Sequence, residues 1–90
     1  MITARKFIVT GRVQGVGFRF FACQAAARHG VAGTVRNMSD GSVEAIAEGH
    51  PTAIDAFRDE LVRGPRVGRV DRVEEIPVEP AGNTSFHAIP

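Results

Sequence analysis

The stretch from Gly11 to Arg19 constrains the fold most, because the spacing of apolar residues changes on either side of it. The residues before it, from Arg5 to Thr10, alternate in the manner of a half-buried strand. The residues after it, from Phe18 to His29, repeat apolar groups at helical spacing. The pattern therefore predicts a strand and a helix joined by a turn that contains Gly15 and Gly17.

The predicted turn has the chemistry of an anion-binding loop. Glycine reaches positive φ at little steric cost, so successive backbone N–H groups in such a loop can point at one centre. The helix that follows adds unpaired N–H groups and the positive end of its macrodipole, and Arg19 adds a planar, permanently charged guanidinium. A phosphoryl group fits this description. The predicted phosphate-binding residues are Gln14, Gly15, Val16, Gly17, Phe18 and Arg19.

The next segment predicts a β-hairpin. Its strands are expected from Val31 to Asn37 and from Ser42 to Glu48, and Asp40-Gly41 between them is typical of tight antiparallel turns. Alternation in the second of these strands predicts one buried and one solvent-exposed face. The expected buried residues are Val43, Ala45 and Ala47, and the expected exposed ones are Ser42, Glu44, Ile46 and Glu48.

A second helix is expected from Pro51 to Arg63, because proline at the first helical position costs no hydrogen bond. Asp59 and Arg63, one turn apart on its outer face, are expected to form an ion pair. The stretch from Gly68 to Val78 predicts a strand whose apolar pattern falls out of step, which indicates a bulge. A short terminal strand from Ser85 to Ile89 is expected to close an edge of the sheet.

Elements in this order form the split βαβ pattern of ferredoxin-like folds. We therefore expect an α+β fold, a ferredoxin-like split βαβ sandwich with an antiparallel sheet of four to five strands and two helices on one face. The strand order should be 4-1-3-2, and residues 1–90 should form a single domain. We expect the first two strands to run in opposite directions, so the residues alone leave open whether Asn37 reaches the loop.

Two segments carry a resemblance to a known family. The sequence Gly-Arg-Val-Gln-Gly-Val-Gly-Phe-Arg at 11–19 resembles the signature of the acylphosphatases, which hydrolyse carboxyl-phosphate mixed anhydrides. The segment Gly33 to Asn37, followed by Gly41, Val43 and Gly49, resembles the second signature of that family, except that Thr34 stands where the family usually carries an aromatic residue. The resemblance implies that Arg19 binds the phosphoryl group and that Asn37 positions the attacking water.

The implied chemistry makes modest demands on the protein. An acyl phosphate yields a carboxylate and inorganic phosphate, and the carboxylate is already a weak base, so its departure needs no strong general acid. Orientation of a water in line with phosphorus and stabilisation of charge on the phosphoryl oxygens are what remain. We therefore expect a small-molecule acyl phosphate as the ligand, no metal and no cofactor.

Composition limits the other partners. The net charge is +1 and there is no run of basic residues, so nucleic acid is not an expected partner. The single cysteine cannot form an internal disulfide, and the apolar run Phe7-Ile8-Val9 is too short to span a membrane. We expect a cytoplasmic, monomeric protein.

Two other interpretations compete with the enzyme. One is a non-catalytic ferredoxin-like module that binds an anion or nucleic acid, although the strand residues expected at the surface include no aromatic platform for bases. The other is a free counterpart of the phosphate-recognising domain of larger hydrogenase-maturation proteins, which resemble acylphosphatases at their N-termini. The length of 90 residues disfavours that interpretation.

Overall fold

A computed structural model describes residues 1–90, which form two helices and five strands. Both helices begin and end where the sequence predicts, and Gly30 closes the first with a left-handed φ of 66° and an N–H donated to Ala26 O. In chain order the elements are β1 (Thr3–Arg12), α1 (Phe18–His29), β2 (Ala32–Asn37), β3 (Val43–Gly49), α2 (Pro51–Arg63), β4 (Arg69–Val78) and β5 (Phe86–Ile89).

The strands form one sheet in the order β4-β1-β3-β2-β5, which contains the predicted order 4-1-3-2. The expectation of an antiparallel sheet is wrong at one edge, because β5 pairs with β2 in parallel. Only residues 79–85 separate the end of β4 from the start of β5, and the sheet between these edges is roughly 19 Å wide, at about 4.8 Å per strand spacing. The connection can cross the sheet but cannot also travel along it, so β5 begins at the end where β4 finishes.

β1 and β2 run in the same direction, contrary to the expectation that they run in opposite directions. Each of them pairs antiparallel with β3, and two strands that both oppose a third are parallel to each other. Val43 of β3 lies between the two strands, because it pairs with Val9 of β1 on one side and with Asn37 of β2 on the other. The end of β2 therefore lies at the same edge of the sheet as the loop that follows β1.

The hydrophobic core lies between one face of the sheet and the two helices. α1 packs through small residues, as predicted, since Ala22, Ala25 and Ala26 are fully buried while Phe21 and His29 on the same stripe are only partly covered. α2 contributes larger groups, and the ring of Phe57 lies 6.1 Å from that of Phe7. The central positions of the core are filled by Phe7, Val9, Val35, Val43, Ala45, Ala47, Ile54, Phe57 and Leu61.

The second face of β3 is not exposed, contrary to expectation. Ser42, Glu44 and Glu48 on that face are only 4%, 6% and 5% exposed. β3 is the central strand, so the side chains of both neighbouring strands flank it, and Glu44 accepts a hydrogen bond of 3.1 Å from Arg36 Nε. Glu48 Oε2 accepts one of 2.7 Å from the backbone N–H of Ala81, in the connection between β4 and β5. Each of the two buried carboxylates thus has a partner.

The irregularity predicted between Gly68 and Val78 is a bulge between β1 and β4. Thr10 pairs with Arg72 and Gly11 pairs with Val70, so Asp71 is the extra residue. Gly11 has a φ of 130°, and a Cβ built there would lie 2.2 Å from Arg69 O. Only glycine fits this position, which starts the turn of the chain out of β1 and into the loop.

The predicted ion pair between Asp59 and Arg63 is wrong. Arg63 lies 3.7 Å from Glu60, and Asp59 pairs with Arg58. Glu60 is the acidic residue of α2 that links the two helices. It faces the last turn of α1, where it accepts hydrogen bonds from Arg28 and pairs with His29. Side chains at a spacing of four meet only if neither has a closer partner, and here each has a closer partner on the same helix.

Replacing Glu60 by glutamine should make the free energy of unfolding depend less on pH in the acid range. Hydrogen bonds from Arg28, opposed by burial and helped by His29, lower the pKa of Glu60 from 4.5 to about 2. A carboxyl whose pKa is lower in the folded state stabilises the fold above its unfolded pKa and loses that effect as pH falls towards its folded pKa. Urea denaturation between about pH 5 and about pH 2.5 should therefore show a steeper loss of unfolding free energy in the wild type than in Glu60→Gln.

The matched control is Glu79→Gln, at an exposed position. It should keep the wild-type slope. Equal slopes for wild type and Glu60→Gln would contradict the prediction.

Candidate active site

The loop between β1 and α1 owes its shape to two glycines. Gly15 and Gly17 have φ values of 74° and 78°, in the left-handed region that favours glycine. A Cβ at either position would meet nothing within 4 Å, so it is the backbone conformation and not crowding that selects glycine. Gly17 is also the N-cap of α1, and no side chain caps this end. The first-turn N–H groups of α1 therefore have no side-chain acceptor.

A pocket of about 250 Å³ opens at this loop. Arg19 and Asn37, from the first turn of α1 and the last residue of β2, both line it, although 18 positions separate them in sequence. Two of the predicted loop residues, Gln14 and Val16, are not among the lining residues. The pocket is lined by Val13, Gly15, Gly17, Phe18, Arg19, Phe20 and Asn37.

The side chains around the pocket divide into covered and exposed groups. Phe18 is buried and its ring packs at 5.7 Å from that of Phe21, so it presents mainly its backbone to the loop. Phe20 is 69% exposed and lies at the rim. Val16 is partly buried and packs against the hydrophobic core, which anchors the middle of the loop.

The guanidinium of Arg19 is held by a residue near the C-terminal end of the chain. Its Nη1 donates a hydrogen bond of 3.2 Å to the carbonyl of Ile89, in the last position of β5. This is its one hydrogen bond within the protein, so Nε and Nη2 are available to a ligand. Sequence reasoning missed the contact with Ile89, and it had no signal to find it, because a backbone carbonyl is the same in every residue.

Gln14 also has a role that the sequence did not indicate. Its Nε2 donates hydrogen bonds of 2.7 Å to Met38 O and 2.8 Å to Ser42 O. These two carbonyls belong to the turn between β2 and β3, directly after Asn37. The Gln14 side chain therefore points towards the hairpin, while its backbone belongs to the loop.

The hairpin turn is well ordered by its own hydrogen bonds, as Asp40-Gly41 predicts. The backbone N–H of Met38 donates to Ser42 O at 2.8 Å, and the backbone N–H and hydroxyl of Ser42 both donate to Asp40 Oδ1. These bonds from Ser42 lower the pKa of Asp40. Asp40 is therefore committed to the turn.

The family model for acylphosphatase matches residues 5–88. The chain belongs to the acylphosphatase family. An acylphosphatase of Mannheimia succiniciproducens is 54% identical to it over 71 residues, which cover 79% of each chain. The crystal structure of acylphosphatase from Bacillus subtilis matches with a TM-score of 0.95 and 34% identity over 100% of both chains. These matches confirm the resemblance and the ferredoxin-like α+β fold.

The same fold also occurs as part of a larger protein. A crystal structure of full-length HypF, in a phosphate- and nucleotide-bound form, matches this whole chain with a TM-score of 0.94 and 31% identity, but the match covers only 12% of HypF. Named acylphosphatases, by contrast, match over most of their own length. The protein is therefore an acylphosphatase-type hydrolase that acts on acid anhydrides, in a family that acts on small-molecule acyl phosphates.

Two further features of the acylphosphatase chain bear on its surroundings. Neither helix combines the length and the apolar character needed to cross a membrane. No three side chains of the types His, Cys, Asp and Glu come together in a group that could hold a metal ion.

Proposed function

We propose that the pocket at the β1–α1 loop hydrolyses acyl phosphates, with Arg19 and the backbone N–H groups of residues 14–19 holding the phosphoryl group and Asn37 holding the attacking water. The observation that carries the proposal is that Arg19 and Asn37 line one pocket at the N-terminus of a helix. A helix N-terminus favours an anion, and an arginine in its first turn adds a fork of N–H donors.

The phosphoryl group would be stabilised mostly by charge and by orientation. In the transition state, negative charge lies on the three non-bridging oxygens. Backbone N–H groups on a loop of fixed shape need no reorganisation to donate hydrogen bonds to those oxygens, and these hydrogen bonds are stronger where water is excluded. Arg19, tethered at Nη1 by Ile89 O, keeps two nitrogens for those oxygens.

The water would be positioned without a general base. Asn37 has an amide oxygen and an amide nitrogen, either of which can hold a water, and its side chain does not ionise near neutral pH, so it cannot act as a general base. The proton of the water then passes to a phosphate oxygen or to solvent. The leaving carboxylate departs unassisted, because it is a weak base. This mechanism uses no metal ion and no cofactor.

Hydrolysis of benzoyl phosphate should proceed in the presence of excess chelator. The reaction needs only the loop, Arg19 and Asn37, and an acyl phosphate has a far better leaving group than an alkyl phosphate monoester. The loss of benzoyl phosphate absorbance, compared with phosphate release from a simple monoester, measures both parts of the prediction. A strict requirement for a divalent metal would refute the mechanism.

Arg19→Lys should lower kcat/KM by about 10² to 10³, since lysine keeps the charge but loses the planar fork. The rate is measured with benzoyl phosphate, and a thermal unfolding curve checks that the fold survives. Arg66→Lys, at an exposed position outside the pocket, is the matched control and should retain wild-type activity. Near wild-type turnover by Arg19→Lys would remove Arg19 from the proposal.

Asn37→Ala should lower kcat by about 10² and leave phosphate affinity within a factor of about two, because positioning of one reactant is lost while the phosphoryl site stays intact. Competitive inhibition by inorganic phosphate reports that affinity. Asn83→Ala, in the connection between β4 and β5, serves as the control. The opposite pattern, with weaker phosphate binding and unchanged kcat, would make Asn37 a binding residue.

A further inference from the structure

The side chain of Gln14 is the link between the phosphate loop and the hairpin that carries Asn37. Gln14 is half-buried, and both bonds from its Nε2 are short, at 2.7 Å to Met38 O and 2.8 Å to Ser42 O. Met38 follows Asn37 in the chain, and Ser42 precedes Val43, which is the β3 partner of Asn37. The two acceptors therefore face each other at the position next to the Asn37–Val43 pair, on its turn side.

Backbone pairing does not make this link. The ladder between β1 and β3 ends at the pair Val9 and Val43. Beyond that pair, residues 10–12 of β1 pair only with β4. β4 is the neighbour of β1 on the edge opposite to β3 and the hairpin. From Thr10 to the start of α1, the Gln14 side chain makes the hydrogen bonds that join this part of the chain to the β2–β3 turn.

The contact also specifies the residue type. Both acceptors are carbonyl oxygens, and the amide nitrogen of glutamine offers two N–H groups for them. An oxygen at the same place would face two other oxygens without a hydrogen, and an apolar end would leave both carbonyls without this donor. Met38 N–H donates to Ser42 O as well, so Gln14 joins an existing turn and does not replace its bonds.

We propose that Gln14 is a positioning residue, which sets the place of Asn37 relative to the phosphoryl group bound by the loop. The inference rests on the proposed function of Asn37. It assigns to the Gln14 side chain an effect on the chemical step that is transmitted through Asn37. The backbone N–H of Gln14 keeps its separate place in the phosphate loop.

The first test is Gln14→Met, which preserves the length of the side chain and adds no charge near the phosphoryl site. With benzoyl phosphate, kcat should fall by about 10-fold, because a small misplacement of a reactant has large effects on rate. The inhibition constant of inorganic phosphate should change less than about twofold, since Arg19 and the loop N–H groups stay in place. Gln24→Met, an exposed position on α1, is the matched control and should leave both quantities unchanged.

The second test is a double-mutant cycle with Asn37→Ala. If Gln14 acts through Asn37, Gln14→Met should lower kcat by less than about twofold when Asn37 is already alanine. Equal losses in both backgrounds, or a fall in phosphate affinity that matches the fall in kcat, would overturn the inference. Gln14→Asn, which keeps the donors but withdraws them by one methylene, provides a milder variant with the same expected direction if Gln14→Met does not fold.

The two hypotheses fail in different ways. An Asn37→Ala variant with wild-type kcat would contradict the proposed role of Asn37, and the inference about Gln14 with it. A low kcat for Asn37→Ala together with an additive effect of Gln14→Met would leave the proposed function intact and overturn only the positioning role.

Discussion

Antiparallel pairing of β3 with both of its neighbours is the constraint on which the site depends. It makes β1 and β2 parallel, so the loop that leaves β1 and the asparagine that ends β2 emerge at one edge of the sheet. Val43 stands between them, paired with Val9 and Asn37. A slip of one residue in either pairing would turn the strand's side chains to the other face and carry Asn37 away from the loop.

The helices were predictable because local signals mark both of their ends. α1 lies between Gly17 and Gly30, both in left-handed conformations, and α2 has proline at its start and Gly64 after its end. Such residues act through backbone preferences that need no tertiary partner. The bulge in β4 was predictable for a related reason, since the mismatch in its apolar pattern is visible in the chain itself.

Features that depend on distant parts of the chain were not predictable. The direction of β5 follows from how far residues 79–85 must travel, and the burial of Glu44 and Glu48 follows from the neighbours of β3. The same is true of the meeting of Arg19 with Asn37, which needed the relative direction of two strands. The bonds of Gln14 and Arg19 end on backbone carbonyls, which carry no residue signature, so a sequence pattern cannot reveal them.

The three buried alanines of α1 have a consequence for the depth of the pocket. Ala22, Ala25 and Ala26 leave no solvent-accessible surface, so they allow the helix backbone to approach the sheet closely. The first turn of the same helix carries N–H groups that have no side-chain acceptor. The distance between these N–H groups and Asn37 therefore depends on methyl groups that lie a full turn or more away. Larger side chains at these three positions would hold the helix further from the sheet. They would widen the pocket without changing any residue that lines it.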